Sequence, residues 1–141
     1  MQAVTLCDAF GLDNLRTVER PDPQPGPNQA VVRVRAASLN YRDLLMVTGA
    51  YNPRQPLPLV PLSDGAGEVV AVGSAVANVA VGDRVLAHFC QTWRDGVQPH
   101  DAARHTLGGP LDGALQTHWL VDAAGVVRFP EYLSFNQAAT L

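Results

Sequence analysis

Residues 38–68 read SLNYRDLLMVTGAYNPRQPLPLVPLSDGAGE, and this stretch decides how the rest of the chain is understood. It opens with Asn40, Tyr41, Arg42 and Asp43 at the foot of the apolar run Leu44, Leu45, Met46 and Val47. That pattern predicts one or two turns of helix with Asn40 as its cap. Gly49 and Tyr51 follow, and then Pro53, Pro56, Pro58 and Pro61. Proline lacks the donor that a helix interior or a central strand requires, so this passage is expected as an extended, semi-rigid loop. Ser63-Asp64-Gly65-Ala66-Gly67 closes the stretch, its glycines bringing backbone close to backbone before a strand at 67–72.

Outward from this stretch the signal is mostly β. In residues 30–39, Val32, Val34 and Ala36 alternate with Arg33 and Arg35, the two-residue period of a strand with one buried and one wet face. That strand ends at Asn40 and gives the polar cluster a rigid mount. Further upstream, 1–6 and 15–20 read as a hairpin around the turn at 11–14. Pro21, Pro23, Pro25 and Pro27 then make an exposed connector. Downstream, a turn at 81–84 feeds a strand at 85–89. Residues 91–113 are polar and glycine-rich and predict a lobe or long loop, with Trp93 either folding over a pocket or, the preferred reading, pinning the lobe to the barrel. Strands at 115–121, where His118 is a cross-strand or surface residue, and at 126–129 follow, and Pro130 ends the second. Some seven short strands separated by glycine and proline turns indicate a mainly β protein, a partly open β-barrel with short helices.

Composition narrows the function classes. The 141 residues suit a single domain with its own core, and 47% hydrophobic with 16% charged content is that of a soluble globule. All ten basic residues are arginine and the net charge is −3, so no basic patch invites nucleic acid or an anionic membrane. No apolar run reaches the ~20 residues of a membrane span and no leader pattern opens the chain, which leads to a cytoplasmic expectation. Cys7 and Cys90 are too few for a disulfide framework and read as small buried residues. His100 and His105 stand at no ligand spacing and read as solvated loop residues. Gly65-Ala66-Gly67 is no phosphate loop, because Val70 occupies the third glycine position and a strand, not a helix, follows.

Leu39-Asn40-Tyr41-Arg42-Asp43, Gly49-Ala50-Tyr51, Asp64-Gly65-Ala66-Gly67-Glu68-Val69 and Val81-Gly82-Asp83-Arg84-Val85, in this order, resemble the GroES-like catalytic domain of the medium-chain dehydrogenase/reductase superfamily. The resemblance runs over nearly the whole chain and is closest to the zinc-free members, the quinone oxidoreductase-like and zinc-independent alcohol dehydrogenase-like proteins. It implies a catalytic domain at 1–130, with 131–141 beginning a nucleotide-binding Rossmann domain that the chain does not carry. Ser134 followed by Gln137 is a capping-box signature for a helix at 135–141, which suggests a terminus cut rather than finished.

The same resemblance puts Asn40 and Ser63 where zinc enzymes place a cysteine and a histidine. Neither is a competent ligand in a nitrogen and sulfur site, so no catalytic zinc is expected; nor is a structural zinc, because zinc-containing relatives hold one with four cysteines at about the place of the 91–113 lobe and only Cys90 is near it. It assigns catalytic candidates Asn40, Tyr41, Asp43 and Tyr51, with the tyrosine phenols as donors to a developing oxyanion. Cofactor contacts fall to Asn40, Tyr41 and Arg42, although Arg42 reads equally well as a structural ion-pair partner, and Ser63 and Asp64 support the site. The implied activity is hydride transfer from NADP(H), most of whose site lies outside this chain, to a small carbonyl, enone or quinone in a homodimeric or homotetrameric parent. The competing reading is a non-enzymatic GroES-like oligomeric binding module, against which the Asn-Tyr-Arg-Asp cluster and the absence of an apolar mobile tripeptide argue.

Overall fold

The computed structural model describes residues 1–141. Its strands are β1 (Gln2–Leu6), β2 (Leu15–Glu19), β3 (Gln29–Ala37), β4 (Gly65–Val72), β5 (Arg84–Ala87), β6 (His118–Asp122) and β7 (Val126–Arg128). Two short helices complete the set, α1 (Tyr41–Val47) and α2 (Phe135–Ala138). β1 and β2 form the expected hairpin, and the other five strands make one antiparallel sheet in the order β6-β3-β4-β5-β7. Bridges from Ala3 to Gln116 and from Leu6 to Leu59 attach the hairpin to the sheet side of the molecule. The barrel is thus open, two curved layers joined by loops, and the mainly β expectation holds.

The expected alternation along β3 holds only in part. Ala30, Val31 and Val32 are all buried, so the first half of the strand is covered on both faces. Only from Arg33 onward does one face meet solvent, where Arg33 and Arg35 both reach the Glu68 carboxylate on β4. Register shifts between Val31 and Val32 and between Val34 and Ala36 divide the two regimes. The strand expected at 115–121 begins only at His118. Residues 114–117 spend their backbone groups on Leu62, Pro61 and Gln2 instead, stitching the proline loop and the hairpin to the sheet.

Trp119, Val69, Val85 and Leu107 centre the main core. Burying side chains of this size supplies about 1.5–3 kcal/mol each. Gly67 faces the Arg33 carbonyl so closely that any Cβ would collide with it, the backbone approach expected of this glycine. Gly65 is close to side chains instead, its Cβ position lying 2.6 Å from that of Ala114. At the far end Ser134 and Gln137 form the expected capping box, and Ala138 and Ala139 pack on Ala66 and Phe129. The helix is shorter than expected, four residues rather than seven. Cys90 is buried as expected, whereas Cys7 is half-buried, and both are free.

Candidate active site

Asn40 caps α1 in an extended conformation (φ −110°, ψ 155°), and Asp43 completes the capping box by accepting the Asn40 backbone N–H at 2.9 Å. The other Asp43 oxygen accepts both the backbone N–H and the hydroxyl of Ser63, each at 3.1 Å. Asp43 is 3% exposed. A buried carboxylate with three donors is satisfied, and here it welds the start of α1 to the end of the proline loop. Leu62 beside it stands at φ +75°, a left-handed conformation that a bulky residue holds only under constraint. Its carbonyl accepts the Ala114 N–H at 2.8 Å, which supplies that constraint.

The side chain of Asn40 turns the other way, donating to Asp64 at 2.5 Å and to the Ser38 hydroxyl at 3.3 Å. Burial pushes the Asp64 carboxyl above the ordinary aspartate range. The Asn40 hydrogen bond opposes that push, the nearby Asp43 charge adds to it and Arg42 opposes it, so burial wins. Asn40, Asp43, Ser63 and Asp64 are therefore one connected network. Tyr41, 75% exposed, stands outside it on the first turn of α1.

Arg42 occupies a different environment from the cofactor contact assigned to it. Its guanidinium lies 4.7 Å from the ring centroids of both Tyr51 and Phe89. It also donates to the carbonyls of Leu107 (3.2 Å) and Gly109 (2.6 Å). The side chain is 15% exposed and its remaining nitrogen, Nε, is buried without a partner. This is a clamp that holds α1, the proline loop and the 91–113 lobe together, and it turns the charge away from solvent.

Beyond the clamp opens a cleft of about 330 Å³ whose walls include Met46, Tyr51, Phe89, Trp93, Gln98 and Thr106. Tyr51, half exposed, thus faces a cleft as expected, and Trp93 lines it as well as resting on the lobe, where its Nε1 donates to the Gly96 carbonyl. Asn40 and Asp43 are not among the residues that line this cleft; they border a separate apolar groove of about 260 Å³ with Leu12, Leu39 and Leu44. A larger and shallower groove, about 450 Å³ along β1 and β3, has no aromatic side chain in its wall. Phe89 and Thr106 were not legible as cleft residues, because only the fold of the lobe brings 89 and 106 beside 51.

The donor chemistry of positions 40 and 63 does not suit zinc. The Asn40 amide nitrogen and the Ser63 hydroxyl both donate to carboxylates, and no three His, Cys, Asp or Glu side chains gather at ligand spacing. For a nicotinamide cofactor this chain presents Leu39 and Tyr41, both strongly exposed, flanking Asn40. An exposed phenol and an amide beside apolar surface suit a flat, amide-bearing ring, so these residues fit the edge of such a site.

Residues 26–131 match the family described as the alcohol dehydrogenase GroES-like domain. The chain is 42% identical over 133 residues to a zinc-type alcohol dehydrogenase-like protein of Schizosaccharomyces pombe, covering 93% of this chain and 38% of that one. An NAD-dependent alcohol dehydrogenase structure superposes with a TM-score of 0.85 at 31% identity, covering all of this chain and 43% of that one. The Escherichia coli quinone oxidoreductase complexed with NADPH superposes with a TM-score of 0.77 at 25% identity, covering 99% of this chain and 36% of that one. The chain therefore spans well under half the length of these relatives. An open antiparallel barrel whose polar network sits at the foot of α1, matched over most of its length in this way, makes the chain a member of the alcohol dehydrogenase GroES-like domain family of the medium-chain dehydrogenase/reductase superfamily.

Proposed function

We propose that this chain is the substrate-side domain of a zinc-independent, NADPH-dependent oxidoreductase acting on small carbonyl compounds, enones or quinones. The observation that carries the reading is the network at positions 40 and 63, where two hydrogen-bond donors are committed to Asp64 and Asp43. In this reading residues 1–130 form the catalytic domain, 131–141 lead into a nucleotide-binding domain that supplies most of the dinucleotide site, and the parent is a cytoplasmic homodimer or homotetramer.

The cofactor, when bound, supplies a hydride. What this chain contributes is placement and a dry, polar-tipped wall. Asn40 and the exposed Tyr41 border the cofactor side of α1, with Asp43 as the positioning group that fixes their turn. The Tyr51 hydroxyl has no partner within the chain and is free to donate to an oxygen on which negative charge develops. In this reading the parent's activity draws on hydrogen-bond donors in place of a Lewis acid.

The test joins the chain to a dinucleotide-binding domain of the same superfamily and follows NADPH consumption with a conjugated enone. The expected result is turnover that prefers NADPH over NADH and is insensitive to a zinc chelator. Turnover abolished by the chelator and restored by zinc would overturn the metal-free reading. A closed ring of copies in sedimentation, without turnover, would favour the oligomeric binding module.

A further inference from the structure

The 330 Å³ cleft carries more polar chemistry than one reacting carbonyl uses. Much of it is spent within the chain. Thr106 donates to the Gly109 carbonyl at 2.6 Å, the Cys90 thiol to that of Ala102 at 3.4 Å, and Trp93 Nε1 to that of Gly96 at 3.1 Å. Three lining groups keep a donor with no acceptor in the chain: the Tyr51 hydroxyl, the Asn52 amide and the Gln98 amide. Tyr51 is assigned to the carbonyl, which leaves two carboxamides without a role.

Asn52 is held in one pose. Its Oδ1 accepts the Arg54 backbone N–H at 3.2 Å, its own carbonyl accepts that of Gln55 at 3.0 Å, and the Tyr51 N–H beside it is anchored on the Leu45 carbonyl of α1 at 3.0 Å. With the oxygen committed in this way, the amide nitrogen is what remains for a ligand, a donor that neither ionises nor accepts. Gln98 comes to the same cleft from the 91–113 lobe with both ends of its amide uncommitted. Arg42 ties that lobe to α1 through the carbonyls of Leu107 and Gly109, so the two amides share one rigid frame.

Around them the lining includes Met46, Phe89, Trp93 and Ala103, and it has no acidic or basic side chain. Each neutral hydrogen bond to a ligand contributes about 0.5–1.5 kcal/mol, roughly a 2- to 13-fold gain in affinity. An analogue that leaves such groups unpaired is discriminated against. An ionised group finds no counter-ion here to offset its desolvation.

We infer that Asn52 and Gln98 are specificity-determining residues of this cleft, which together hold a second, uncharged hydrogen-bonding group of the ligand, a carboxamide or a hydroxyl, separate from the carbonyl that reacts. Asn52 donates to the oxygen of that group, and Gln98, whose amide both donates and accepts, takes its hydrogen or its remaining lone pair. This deepens the proposed oxidoreductase reading and rests on it only for the ligand being a substrate.

The experiment titrates the 141-residue chain by NMR with four probes of nearly one shape: 4-acetylbenzamide, 4-isopropylacetophenone, 4-acetylbenzoate and 4-acetylbenzamidine. The benzamide should bind more tightly than the anionic and the cationic probe. The ratio of benzamide to isopropyl affinity is then compared between variants, so that a general loosening of the cleft cancels. Asn52→Ala and Gln98→Ala should each lower that ratio about 5-fold. Asn52→Asp keeps an acceptor for the Arg54 N–H and puts an anionic oxygen where the donor stood, so the amidine should gain about 10-fold relative to the benzamide. The side-chain amide resonances of Asn52 and Gln98 should shift more with the benzamide than with the isopropyl compound, which locates the second group without a variant. A ratio that either alanine variant leaves unchanged, tightest binding of a charged probe, no binding of any probe, or shifts confined to other side chains each overturns the assignment. Ratios that move as described in a chimera that never consumes NADPH sink the oxidoreductase reading and leave the two residues standing; turnover indifferent to both substitutions does the reverse.

Discussion

Replacing Arg42 by alanine tests the clamp on which the cleft depends. The guanidinium makes two charge-assisted hydrogen bonds, to Leu107 and Gly109, and stacks on two rings. Hydrogen bonds to a charged donor contribute about 1.5–3 kcal/mol each and cation–π contacts about 0.5–2. Against these stand the ~2 kcal/mol of rotamer entropy fixed in the arginine and the orphaned Nε. The Gly109 carbonyl keeps Thr106 as a partner after the change, whereas that of Leu107 loses the one donor it has. The net expectation is a loss of about 3 kcal/mol, with Arg42→Lys recovering less than half, since an ammonium cannot bridge both carbonyls while lying flat on two rings.

Urea unfolding supplies the global number. Amide exchange supplies the location, because the loss should concentrate on lobe amides such as Leu111 and Leu107 and spare the β3–β4 ladder. A cost under about 1 kcal/mol, or full rescue by lysine, would refute the clamp, and so would uniform loss of protection across the sheet.

The remaining expectations are these. Gly67→Ala pushes a Cβ into the Arg33 carbonyl and should cost about 3 kcal/mol in thermal or chemical unfolding, the far side of the usual overpacking range. Asp43→Ala strands three donors in a buried site and should cost about 4 kcal/mol, with Asp43→Asn intermediate, read from the same unfolding curves. Two carboxylates four residues apart should give opposite pH signatures. Glu68 is held below the ordinary glutamate range by hydrogen bonds from Arg33 and then Arg35, so its contribution is present above the unfolded value and lost as pH falls through the folded one. Asp64 is held high by burial, so its contribution is present below the unfolded value and lost as pH rises through the raised one. Unfolding midpoints across the acid range should therefore flatten on the acid side for Glu68→Gln, while Asp64→Asn should gain relative to wild type toward neutral pH; the same sign for both would contradict these environments.

The elements legible in the sequence were those set by local rules. Asn40 as the cap of α1, Ser134 and Gln137 as a capping box, and the close backbone approach at Gly67 each needed only neighbouring residues or a missing Cβ to be anticipated, whereas Asp43, read as a catalytic candidate, turns out to complete the box at Asn40. The members of the polar network were legible through family resemblance, and the structure joins them by hydrogen bonds. What escaped was non-local. The burial of both faces at the start of β3 depends on β6 lying beside it. The conversion of 114–117 from strand to stitch depends on the proline loop, and the cleft depends on a lobe with almost no regular structure. No window of sequence could show that Arg42 meets Phe89, a residue 47 positions away whose own neighbours give no sign of it.

That the chain has no lysine takes on a meaning once the clamp at Arg42 is compared with a second one. Arg84, on β5, lies 4.7 Å from the ring of Phe129 and 4.6 Å from that of Phe135, and donates to the carbonyls of Glu131 and Leu133. It joins the sheet to the segment that leads into α2 with the same arrangement by which Arg42 joins α1 to the lobe: one planar cation, two rings, two backbone carbonyls. Both sites sit where chain without regular structure meets a rigid element. A guanidinium satisfies orphan carbonyls along its edge while its faces pack as hydrocarbon would, two demands that an ammonium on a flexible stem cannot meet together. At these two joints, then, arginine works as a flat crosslinker of loops. If this is correct, Arg84→Lys should loosen α2 just as Arg42→Lys loosens the lobe, with net charge unchanged in both, and neither loss should be recovered by lowering the salt, as a deficit of simple charge attraction would be.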